Sequence, residues 1–191
     1  MVIGLTGGSG CGKTTALRVL REQGAQCLDA DEIYHELLGS HGPMLEKIGT
    51  VFPGTVEGDA LLRKELGRQV FGSPAALHTL SAITHPYVVE EIRRLLRGPL
   101  SVIDAFGLIE SGLGKLCDHT VAITAPAEAR IARIMDREGV SRDYAAARVA
   151  AQRPNEAFSR DCEFTLCNDK TQAEFEVLCR TFFQNLTREE R

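Results

Sequence analysis

The stretch that decides the fold is Ile3–Leu20, IGLTGGSGCGKTTALRVL. An apolar run leads into a glycine-rich turn, and a sequence of helical periodicity follows. Gly7, Gly12, Lys13 and Thr14 satisfy G-x-x-x-x-G-K-[ST], the P-loop pattern. Glycines let the backbone curl into a concave nest with its N–H groups pointing inward, at the positive end of the helix that follows. Gly10, Gly12 and the Lys13 amide are natural phosphate donors there. The Lys13 ammonium is placed to bridge terminal phosphates, and the Thr14 hydroxyl to ligate Mg²⁺. Ala16, Val19, Leu20 and Gln23 share one face of the predicted helix, and Gly24 sits where a left-handed cap would end it. The motif points to a nucleoside triphosphate and leaves open what becomes of the phosphate.

Outward from this stretch, the apolar runs Val2–Thr6, Gln26–Asp29, Leu100–Asp104, Thr120–Thr124 and Phe164–Cys167 predict strands. Most lack polar alternation, as strands buried on both faces do, and helical patterns lie between them. The expectation is an α/β fold, a five-stranded parallel sheet with right-handed crossovers. Residues 32–98 break the rhythm. They read as several helices separated by GSHGP, FPGTVEGD, GSP and HP, an inserted helical lobe within a single domain spanning 1–191. ITHPYVVEEIRR reads as a helix start with Pro86 in its first turn and Thr84 or His85 as cap. Helical stretches are also expected at 126–139, 143–152 and about 171–187.

Composition narrows the classes. The 191 residues carry a formal net charge of −4, which argues against a nucleic-acid coat. No apolar run approaches the roughly 20 residues that cross a bilayer, and no signal peptide is expected. The six cysteines include no CxxC pair and no histidines at zinc spacing. They read as thiols of a reducing, cytoplasmic setting, with Cys11 distinguished by its place in the glycine loop.

Candidate acidic groups sit at strand ends, where ligands bind in open α/β sheets. In CLDADEI, Asp31 can orient an attacking hydroxyl and accept its proton, and Asp29 can cap the next helix. Asp104 closes an apolar strand, where a carboxylate would hold Mg²⁺ through water or cap a turn. Glu110 can face an acceptor or lie on the surface. Arg130, Arg133 and Arg137 fall on one helical face, either a solvated stripe or a lid over a triphosphate, with Arg133 and Arg137 nearer the REGVSR turn. Asn168, in LCNDK, is a candidate adenine contact or part of a plain turn; N-D-K is not the guanine-reading N-K-x-D.

Taken in order, LTGGSGCGKTT, LDADEI, ITHP, VIDAFGLIESGL, RIMDREGVS, AAQRP and a final ND turn closely resemble the dephospho-coenzyme A kinase family over nearly the whole chain. The resemblance implies a P-loop kinase core, a helical coenzyme A-binding lobe and a mobile helical lid at 130–155. It implies transfer of phosphate from ATP to the ribose 3′-hydroxyl of dephospho-coenzyme A, the last step of coenzyme A synthesis, with Mg²⁺. Carried over by position, Asp31 is the base, and Lys13 and Arg137 complete the catalytic set. Gly8, Gly10, Cys11, Gly12, Lys13, Thr14, Thr15, Arg133, Arg137 and Asn168 contact ATP. Asp31, His85, Asp104 and Glu110 face the acceptor. The expected partners are these two small molecules, with no nucleic acid or membrane, in a monomer or weak homo-oligomer. The chain departs from the family pattern at Phe106-Gly107 and at Asp169-Lys170.

Overall fold

The N-terminal apolar run becomes strand β1 (Val2–Thr6) in the computed structural model, which describes residues 1–39 and 42–189. Ile3 and Leu5 are 0% exposed although they share a face and Gly4 between them is buried too, so both sides of the strand are covered. The P-loop follows, then α1 (Lys13–Glu22) and β2 (Gln26–Asp29). Farther along come β5 (Ser101–Asp104), β6 (His119–Thr124) and β7 (Phe164–Cys167). These strands form one sheet in the order β2-β5-β1-β6-β7, and the β1–β5, β1–β6 and β6–β7 pairs are parallel. The crossovers leave β1 with a later strand on each side. The carboxyl end of β1 is therefore the switch point of the sheet, the position where open α/β sheets bind ligands.

The chain divides into two compact units: residues 1–27 with those from Arg97 onward, and Leu28–Leu96. The first contains α6 (Ala127–Glu138), α7 (Arg142–Ala150), α8 (Asn155–Asp161) and α9 (Gln172–Glu189) as well as most of the sheet. Its core joins Ile3, Leu5 and Val121 of the sheet to Leu17 and Leu20 of α1 and to Phe175 and Phe183 of α9. Burying a Leu or Phe side chain of this kind contributes about 1.5–3 kcal/mol. Helices α6 and α7 close a smaller cluster of their own from Ile131, Ile134, Ala145 and Val149.

The second unit is built from α2 (Ala30–Gly39), α3 (Pro43–Val51), a short hairpin of β3 (Val56–Glu57) and β4 (Ala60–Leu61), α4 (Arg63–Val70) and α5 (Pro74–Leu95). Leu38, Met44, Ile48, Phe52, Leu66, Val70 and Ile83 pack together inside it. Ser40 and His41 of the GSHGP break lie outside the described residues.

One expectation is overturned here. ITHP does not start a helix. Helix α5 starts at Ser73, whose hydroxyl accepts from the Ala76 N–H, with Pro74 in the first turn, and it runs unbroken through Pro86. Thr84 is buried mid-helix rather than capping. Proline in a helix interior removes a donor and crowds the preceding turn. Here Ile83, Val88 and Ile92 are buried on either side of it, and packing outweighs the local preference.

Candidate active site

The P-loop can be understood by asking where its backbone carbonyls go. The Gly7 carbonyl accepts from the Lys13 ammonium at 3.1 Å, and the Gly8 carbonyl from the Cys11 N–H at 3.2 Å. The Ser9 carbonyl accepts from Arg130 Nε at 2.9 Å, that of Gly10 from Arg133 Nη1 at 3.2 Å, and that of Cys11 from Asn168 Nδ2 at 2.9 Å. The Gly12 carbonyl accepts from the N–H of Thr15 at 3.0 Å. Every carbonyl from Gly7 to Gly12 therefore has a donor. The N–H groups of Gly10, Gly12 and Thr14, by contrast, have no acceptor among the described residues. Unpaired N–H groups at a helix N-terminus form an anion site. Gly10 and Gly12 have φ of 76° and 108°, which side-chain-bearing residues rarely adopt, and this lets the loop reverse within so few residues.

Lys13, half-buried, also lies 3.8 Å from the Asp104 carboxylate at the end of β5. Its ammonium thus rests between one carbonyl and one carboxylate, within reach of an arriving phosphate. Thr14 is exposed on the first turn of α1. The Thr14 hydroxyl and Asp104 carboxylate are the hard oxygen donors Mg²⁺ takes, and an ion that keeps several waters needs only one or two of them from protein. No group of three or more His, Cys, Asp or Glu suited to a metal occurs among the described residues.

The other expected site residues fall in different places. The Cys11 side chain is buried, and burial pushes its thiol up from the usual range, so position 11 has only its backbone to offer a ligand. Asn168 is 4% exposed: its amide holds the Cys11 carbonyl and its Oδ1 accepts from Arg133 at 3.0 Å. Its side chain, a candidate adenine contact from the sequence, braces the loop. Arg133 also serves the loop, as the donor to Gly10 and Asn168. Arg137, exposed in the last turn of α6, has Glu138 as its partner at 2.5 Å. Glu110 is exposed and pairs with Arg153, which also holds Asp161 and stacks 5.1 Å from the Phe158 ring centroid. Phe106, at one departure from the family pattern, packs edge-on against the same ring at 5.7 Å.

In the second unit, Asp29 is the cap of α2, accepting from the N–H groups of Asp31 at 2.9 Å and Glu32 at 3.1 Å. Asp31 is left exposed on the first turn of α2. His85 lies half-buried in the middle of α5.

Gln152 was not singled out from the sequence, although AAQRP contains it. Its Oε1 accepts from the Ser9 N–H at 2.9 Å and its Nε2 donates to the Ser9 hydroxyl at 2.8 Å. The sequence groups Arg130 with Arg133 and Arg137 as a solvated stripe or a lid; in the structure it is 3% exposed and lies against the loop. The i, i+3 spacing to Arg133 was the available signal, and it does not distinguish a buried face from a wet one.

A nucleotide-ready loop at the switch point of a five-stranded parallel sheet, with lysine and carboxylate side by side, defines a P-loop nucleotide-binding protein. A family model for dephospho-CoA kinase (CoaE) matches residues 1–174. The dephospho-CoA kinase of Novosphingobium aromaticivorans is 36% identical over 179 residues, covering 92% of this chain and 89% of that protein. That of Dehalococcoides mccartyi is 40% identical over 159 residues, covering 79% and 80%. Among solved structures, TT1252 of Thermus thermophilus is similar with a TM-score of 0.75, 33% identity and 97% of each chain covered. The dephospho-CoA kinase of Campylobacter jejuni has a TM-score of 0.71 at 26% identity, covering 100% of this chain and 98% of its own. The chain belongs to the dephospho-CoA kinase family.

Proposed function

We propose that this protein transfers the γ-phosphoryl group of ATP to the 3′-hydroxyl of dephospho-coenzyme A, releasing ADP and coenzyme A, the final step of coenzyme A biosynthesis. The observation that carries the reading is the loop itself: its carbonyls are all engaged, while the N–H groups of Gly10, Gly12 and Thr14 stay open beside Lys13. Membership of the family supplies the acceptor.

In this mechanism the open N–H groups hold the β- and γ-phosphates. Lys13 leaves the Gly7 carbonyl to bridge them and so carries charge toward the leaving oxygen. Thr14 and Asp104 are the residues that would hold Mg²⁺, which when bound neutralises charge between those phosphates. Asp31 orients the 3′-hydroxyl and takes its proton as the oxygen bonds to phosphorus. His85, Asp104 and Glu110 serve the acceptor side. Residues 130–155 act as a lid and residues 32–98 as the acceptor lobe, with Arg137 brought to the triphosphate on closure and water excluded from it. Arg133 and Asn168 act on ATP through the loop they hold, and the turn after Asn168 borders the nucleoside.

We place the protein in the cytoplasm, as a monomer or weak homo-oligomer. No helix among the described residues is long and apolar enough to cross a membrane. The test is a panel of acceptors with Mg·ATP: dephospho-coenzyme A is expected to be consumed with matching release of coenzyme A and ADP. Equal or faster phosphorylation of nucleoside monophosphates would overturn the acceptor assignment. Asp31→Asn is expected to retain ATP binding and to lose transfer by about 10²-fold or more.

A further inference from the structure

All three polar groups of Ser9 are held from one side. Its N–H and hydroxyl go to Gln152, and its carbonyl goes to Arg130. The two holders are joined as well, because Arg130 Nη2 donates to the Gln152 Oε1 that accepts from Ser9, at 2.5 Å. Arg130 comes from the first turn of α6 and Gln152 from just beyond α7. The clamp therefore ties both ends of the α6–α7 hairpin to the second variable position of the P-loop.

Arg130 has a second property. It is 3% exposed, and no carboxylate among the described residues pairs with it. The surface arginines of the same hairpin are paired: Arg137 and Arg148 with Glu138, Arg142 with Glu128. Burial lowers the proton affinity of Arg130, though not enough to discharge a guanidinium. A buried cation without a counter-ion is unfavourable by itself. Its nearest neutral partners are carbonyl oxygens, Ser9 in the loop and Gln152, and both orient dipoles toward it. The missing negative charge is of the kind that the loop's open N–H groups are built to receive. The Gly8 Cα faces the guanidinium so closely that a Cβ there would collide with it, so the charge lies against the loop backbone itself.

We propose that Arg130 and Gln152 are positioning residues for the donor nucleotide: Gln152 fixes Ser9 and the guanidinium, and the uncompensated charge of Arg130 strengthens polyphosphate binding through the loop. This rests on the reading of the loop as the ATP site. The clamp also links the hairpin to the occupancy of the loop, because a hairpin that moves carries Arg130 and Gln152 with it.

Gln152→Glu separates charge from shape. The glutamate has the size of glutamine, still accepts from Ser9 and Arg130, and can take a proton-donating bond from the Ser9 hydroxyl. It also gives Arg130 a counter-ion. Binding of Mg·ATP and of inorganic triphosphate is measured by titration calorimetry on the full chain, with thermal unfolding in parallel and steady-state KM and kcat for both substrates. The expected result is an affinity for Mg·ATP and triphosphate weakened about tenfold, a KM for dephospho-coenzyme A unchanged, and a melting temperature equal to or above that of the native protein. Arg130→Gln is expected to weaken both anions in the same way. A clamp with a merely structural role would lower the melting temperature and leave anion affinity alone. Native affinity for Mg·ATP in Gln152→Glu would overturn the proposal. Failure of the native protein to phosphorylate dephospho-coenzyme A would overturn the proposed reaction instead, and the triphosphate titration reads the clamp independently of it.

Discussion

Replacing Asn168 with alanine isolates the brace behind the loop, because the energetics can be worked bond by bond. The residue's own N–H donates to the Thr124 carbonyl at 2.8 Å, a main-chain bond that survives the change. Arg133 also keeps its bond to the Asn168 carbonyl at 3.2 Å. Two bonds go: Nδ2 to the Cys11 carbonyl at 2.9 Å, and Arg133 to Oδ1 at 3.0 Å. A buried acceptor left without its donor costs about 1–3 kcal/mol. The bond to the guanidinium falls toward the low end of the charged range, about 1.5 kcal/mol, since Arg133 is only half-buried and water can replace the partner. The total of about 2.5–4.5 kcal/mol converts, at about 2–4 °C per kcal/mol for a chain of this length, to a melting point lowered by about 5–18 °C. Scanning calorimetry without nucleotide measures it directly. A second arm follows from the same bonds: with the Cys11 carbonyl released, the Gly12 N–H loses its fixed direction, and Mg·ATP should bind more weakly. A variant that melts with the native protein and binds Mg·ATP equally well would refute the bracing role.

Three further outcomes can be checked on the same preparation. Lys13→Met removes a side chain whose partners are one carbonyl and a carboxylate 3.8 Å away, so the melting point should barely move while transfer falls by about 10²–10³-fold in a coupled ADP assay. Pro86→Ala restores a donor inside α5, and the net effect should be a stabilisation of about 1 kcal/mol by denaturant unfolding; a destabilised variant would mean the helix depends on the ring's packing. The bond from Arg153, and then that from Arg160, hold the Asp161 carboxyl below the usual range. A depressed folded value means stability that is complete above the unfolded value of about 4 and is lost as pH falls through the folded one. Arg153→Met should therefore flatten the melting-temperature profile on the acid side, and an unchanged acid limb would deny the pair its role.

The strands and the loop were legible because their signals are local. Val2–Thr6, Gln26–Asp29 and Phe164–Cys167 are strands at the residues their apolar runs predict, and the glycine pattern locates the nest before any tertiary contact is considered. Helix α5 was not legible at His85-Pro86, because the dipeptide is a boundary signal and only the burial of Ile83, Val88 and Ile92 overrides it. The partners of the loop were hidden for a related reason. Arg130 meets Ser9 across 121 positions and Asn168 meets Cys11 across 157, separations at which periodicity carries no information. The place of Asn168 after a strand marks it as a candidate adenine contact or part of a plain turn. Its burial, which makes it a brace instead, depends on neighbours a single segment does not reveal.

These distant donors also explain why a P-loop motif alone does not make a working site. A peptide unit offers its N–H and C=O in opposite directions, so fixing one end aims the other. In this protein the carbonyl ends at Ser9, Gly10 and Cys11 are fixed by Arg130, Arg133 and Asn168, which come from α6 and from the end of β7. Without them, glycines as permissive as Gly10 and Gly12 would let those peptide units turn and carry carbonyl oxygens into the nest, where they would repel phosphate. Two of the three fixing groups are cations, which polarise the peptide units they hold and strengthen each N–H as a donor. The loop supplies the freedom to adopt the nest, and the residues behind it remove that freedom in the one arrangement that binds an anion.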